Sequence, residues 1–145
     1  LGVPFQPADH VPDLAEHYDR ICREQGTTGF VAQPPVGGPL TLYISEDPER
    51  AWDRLGPHLL HDTQGYAAWQ PPNVRSAMHR DVETVDDLRA ADLFTVATPD
   101  EAVALASEAE VVLLHPLCGG IPAALGWETL RHWEQTVLPA LEAAP

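Results

Sequence analysis

Apolar and polar positions along the chain fall into two kinds of block, one with helical spacing and one of short unbroken apolar runs. Leu14, Tyr18, Ile21 and Cys22 recur at helical spacing, with Glu16, Asp19, Arg20 and Arg23 on the opposite face. The pattern predicts an amphipathic helix of about four turns, entered at Pro12 and stopped at Gly26. After a loop rich in Gly and Pro (27–39), LTLYIS at Leu40–Ser45 predicts a strand built from β-branched and aromatic residues. Asp47-Pro48 then supplies a helix cap and a first helical residue, and Trp52, Leu55 and Leu59 fall on the inward face. Pro57 removes a ladder bond and crowds the turn before it. A break or kink is therefore predicted at Gly56-Pro57, with a second helical piece from His58 to about Trp69.

Gln70–Thr84 is polar and predicts an irregular excursion, followed by a short helix to Ala91 and a strand at Phe94–Ala97. Thr98-Pro99-Asp100-Glu101 matches a capping box, with Glu101 placed to reach back to the Thr98 N–H. The helix it opens carries Ala102, Val103, Leu105, Ala106 and Ala109, a small-residue face that suits close packing on a sheet. Val111–Leu114 is a run without alternation, bounded by Glu110 and His115-Pro116, and predicts a strand covered on both faces. Gly119-Gly120 and Pro122 lead from it into a last helix with Leu130, Trp133, Val137 and Leu141 inward. Leu1–Phe5 reads as the tail of one more strand. Strand and helix alternate throughout, which defines an α/β domain with parallel strands. Ligands of such domains sit at the carboxyl ends of strands, and free N–H groups at a helix start favour an anion. The residues alone therefore point to a site between His115 and Trp127, although glycines in that loop also serve simply to turn the chain.

Composition narrows the picture. The chain has 145 residues and is 44% apolar, enough for one domain (1–145) with its own core. No apolar run approaches the roughly 20 residues that span a bilayer, and no leader-like segment is visible; the two widely spaced cysteines suit a reducing cytoplasm, the expected location. The first residue is Leu1, which predicts a piece of a longer chain. Acidic residues outnumber basic ones 22 to 8, for a formal net charge of −14, and every basic residue is Arg. That field repels a polyanion and disfavours nucleic-acid binding. The absence of Lys removes Schiff-base chemistry and the Walker phosphate loop.

Three groups of side chains invite a chemical reading. Cys22 and Cys118 stand far apart without metal spacing, which suits a reducing compartment. Cys22 belongs to a helix stripe, whereas Cys118 sits in the glycine loop, where a nucleophile would need a base, and His115, three residues away on a strand end, has no evident placement for that role. His58, His61 and Asp62 form H-x-x-H-D, which lacks the H-E-x-x-H order and has no third ligand in sequence. His58 and His61, read together with Cys118, define one alternative, a small metal- or cysteine-dependent hydrolase. Tyr66 and Trp69 suit a pocket wall as well as packing.

The segments SEDPERAWDRLGPHLLHDTQGYAAW, ATPDEAVALA and VVLLHPLCGGIPAALGWETLRHWEQTVLPAL, in that order, resemble the C-terminal part of luciferase-like flavin-dependent oxidoreductases. The resemblance runs from the first helix to the end of the chain. It implies the later strands and helices of a TIM barrel, a fold that takes about 250 residues when complete; the front half would lie outside this chain. For the complete enzyme it implies FMN or deazaflavin, a small organic substrate, and monooxygenase or hydride-transfer chemistry. His115, Cys118, Gly119 and Gly120 would then border the flavin or substrate, with Trp69 and Trp127 as walls, and no residue stands out as catalytic base. For the chain alone it implies no bound flavin and little activity. It also implies a homo-oligomer or dependence on the missing N-terminal half, with Leu40–Ser45 or Val111–Leu114 near the contact. A non-catalytic subunit or interaction module of barrel origin is the other expectation.

Overall fold

The structure, a computed structural model, describes residues 7, 10–36, 38–70 and 80–143. The strand expected at Leu1–Phe5 and the middle of the Gln70–Thr84 excursion lie outside them. The chain divides into two compact units, Leu1–Pro39 and Leu40–Pro145.

The first unit is organised by helix α1 (Leu14–Glu24). Its stripe is as expected in register, with Cys22 buried, although Ile21 remains exposed. Gln25 and Gly26 close the helix through bonds back to Ile21 and Arg23, and Gly26 takes the left-handed φ of 61° that a helix stop favours. Gly29 lies flat against the Tyr18 ring, where a Cβ would come within 2.8 Å of it.

The second unit is a three-stranded parallel sheet of β1 (Leu40–Ile44), β2 (Thr95–Ala97) and β3 (Val112–Leu113), in the order β2-β1-β3. The α/β class and parallel pairing are as the sequence predicts. The centre is not. β1 is the middle strand, flanked on both edges, and Thr41 to Ile44 are all buried. Val111–Leu114 is reduced to a two-residue outer strand, with Val111 45% and Leu113 41% exposed. Four apolar residues in a row suit a buried strand, but they carry no information about which strand has neighbours on both edges.

Helices cover both faces of this sheet. On one face, Tyr43 meets Ala51, Trp52, Leu55 and Leu59 of α2 (Pro48–Trp69), with Leu88 of α3 (Val85–Ala90) and Phe94. On the other, Leu42 and Ile44 meet Ala102 and Ala106 of α4 (Pro99–Glu108), together with Val137. The caps are where the residues place them. Asp47 accepts from the Arg50 N–H at 3.1 Å, and Thr98 with Glu101 forms a full capping box. Thr84 and Asp87 form a second one that was not anticipated.

Pro57 does not divide α2, which runs unbroken through it. The reason lies in its surroundings. Pro57 and Asp53, whose carbonyl loses its partner, are both exposed, so water can satisfy that oxygen. Gly56 beside it is buried, and Val85 packs so closely that a Cβ there would lie 2.6 Å from a Val85 methyl carbon.

The last helix is α5 (Ala123–His132), a π-helical turn (Trp133–Val137) and α6 (Leu138–Ala143) in continuous succession. α5 completes the sheet edge beyond the end of β3. Pro116 allows no further ladder, and the Ile44 N–H donates instead to the buried Thr129 Oγ1 at 3.1 Å. Thr129→Val keeps the volume but leaves this buried N–H without an acceptor. It is expected to cost about 1–3 kcal/mol in urea unfolding, with Thr129→Ser well below that; equal losses for both variants would reject the role given to the hydroxyl.

Candidate functional site

β1, α2 and the segment following β3 converge at the carboxyl ends of the strands. The segment leaves β3 at Leu114, passes His115-Pro116, and forms a single 3₁₀ turn at Cys118–Gly120 before α5. Its shape is dictated by two glycines in the left-handed region, Gly119 at φ 55° and Gly120 at φ 79°. Gly119 is pressed onto α2 so closely that a Cβ would sit 1.9 Å from the His58 carbonyl oxygen, with the Asp62 Cβ 3.2 Å away. Gly126 makes the matching approach from α5, where a Cβ would meet the Pro116 carbonyl at 2.3 Å.

Two side chains pin the turn. The buried Tyr43 hydroxyl donates to the His115 carbonyl at 3.0 Å, and that oxygen also accepts from the Cys118 N–H. His58 Nδ1 lies 3.3 Å from the Gly119 carbonyl, a donor's position for the protonated nitrogen. The Gly120 N–H donates within the turn, to Leu117. Beneath the turn Cys118 is 1% exposed. Burial, reinforced by the neighbouring Asp62 carboxylate, pushes its thiol up to about 12. Burial likewise pushes the Tyr43 phenol up, with Cys118 and then Asp62 adding to the effect. Asp62 contributes one further feature, a buried Oδ2 with no hydrogen-bond partner among the described residues.

The structure therefore unites His115, Cys118, Gly119 and Gly120 with His58 and Asp62, and distributes the rest. His58 serves the turn, while His61, three residues on, is exposed. Among the described residues no three metal-ligating side chains converge. A thiol held protonated is a poor nucleophile, so the hydrolase reading finds no support in Cys118. Trp69 stands 81% exposed at the end of α2, its ring 6.1 Å from that of Tyr66. Trp127 is 54% exposed on α5. Trp69 and Trp127 thus lie on different helices, α2 and α5.

Tyr43 and Thr129 were not singled out by sequence reasoning, and Asp62 was noted only within a metal pattern. Tyr43 carries a faint signal, a phenol in an otherwise apolar strand, which must find a partner when buried. Thr129 and Asp62 carry none, because both depend on contacts between distant segments.

At the start of α5, Pro122 offers no side-chain cap, and Ala123 and Ala124 are exposed. The arrangement can thus present a rigid loop, an open imidazole at His115 and a helix start to a ligand at the strand ends. Comparison of the chain with protein-family models, with curated proteins and with solved structures finds no match.

Proposed function

We propose that the chain is the C-terminal part of a luciferase-like flavin-dependent oxidoreductase, and that its His115–Gly120 loop borders the flavin of the complete enzyme. The observation that carries the proposal is the loop itself: a glycine turn after the last strand, held from beneath by Tyr43 and His58, at the carboxyl ends of parallel strands. A flavin needs a flat slot with a few hydrogen bonds at its edge, and the chemistry of electron transfer belongs to the cofactor. The barrel reading makes a structural demand. Barrel strands stand in chain order, whereas here β1 lies between β2 and β3, so the observed order counts against the barrel reading unless β3 exchanges β1 for β2 as its neighbour in the complete protein.

In the complete protein the loop would be one wall among several, so the isolated chain is expected to purify colourless. Its net charge of −14 opposes a phosphorylated ligand. Losing two or three charge-assisted hydrogen bonds, at about 1.5–3 kcal/mol each, weakens binding by several powers of ten. Flavin fluorescence titration of this chain, and of one carrying the upstream half, checks this. Micromolar affinity in the 145-residue chain alone would overturn it.

The second reading, a subunit or interaction module, is favoured by the outer edge of β3 with Val111 and Leu113 exposed. β1, the other strand named as a contact, has neighbours on both edges. Self-association or pairing with the missing half would then run through β3. Light scattering is expected to show a dimer or larger species that Leu113→Lys dissociates; a monomer at micromolar concentration would end this reading.

A further inference from the structure

We draw no further inference here: the strongest candidate, the outer edge of β3 with Val111 and Leu113 exposed, is an unpartnered apolar face, and nothing in the structure shows what covers it.

Discussion

Gly119→Ala is expected to lower the unfolding free energy by about 3–5 kcal/mol, the sum of two independent costs. The first is conformational, since φ of 55° disfavours any residue with a Cβ. The second is steric. The added methyl would fall 1.9 Å from the His58 carbonyl oxygen, and that oxygen belongs to the backbone of α2, which has no rotamer to change. Either the turn lifts from the helix or α2 shifts away from Tyr43 and the core. Gly120→Ala supplies the internal control. Its φ of 79° is as unfavourable, but nothing among the described residues lies within 4 Å of its Cβ position, so it should cost about 1–2 kcal/mol. Chemical denaturation of the two variants beside the parent measures the difference. Equal losses would mean that the close approach to α2 contributes nothing.

Stability is also expected to fall steeply above about pH 9, through Cys118 and Tyr43. The sign follows from the direction of the shifts. Burial holds the Cys118 thiol protonated up to about 12, against an ordinary value of 9.0. In the unfolded chain the same thiol loses its proton first, so rising pH favours the unfolded state across that interval. Its contribution is complete below pH 9 and lost toward pH 12. Each pH unit in the window removes about 1.4 kcal/mol, a large fraction of a typical stability of about 5–15 kcal/mol. Tyr43, raised in the same direction, adds to the loss at the upper end. Urea unfolding between pH 8 and 11 reads the slope, and Cys118→Ala should flatten it. A slope unchanged by that substitution would place the alkaline sensitivity elsewhere. For the same reason iodoacetamide at pH 8 should spare Cys118 until the chain unfolds.

What the sequence disclosed was local. Asp47, Thr98, Pro48 and Pro99 declare helix starts because a cap is made within a few residues. The strand at Leu40–Ile44 and the α/β class follow from apolar runs alternating with helical spacing. Strand order did not follow, because pairing joins Leu40 to Val112 and Leu42 to Thr95 across long stretches of chain. The same limit hid the core of the site. His115, Cys118, Gly119 and Gly120 stand out as a loop after a strand, but Tyr43 and His58 reach them from 72 and 61 residues away. Pro57 shows the converse error, a local rule set aside because the exposed side of α2 tolerates the lost bond.

The π-helical turn at Trp133–Val137 makes the last helix a device of fixed phase. Before it, Leu125 packs with the Tyr43 cluster and Thr129 serves the edge of β1. From its last residue onward, Val137 and Leu141 join the opposite cluster, with Leu42 and Ile44. One continuous rod thus serves two cores, and the wider turn takes up a residue that regular winding would place elsewhere. Inserting one residue into α5 after Thr129 would swing everything beyond it by about 100° around the helix axis, carrying Val137 off its target while leaving composition and hydrophobicity almost unchanged. The tail is therefore addressed by count as well as by chemistry: where each side chain arrives depends on how many residues precede it in the rod.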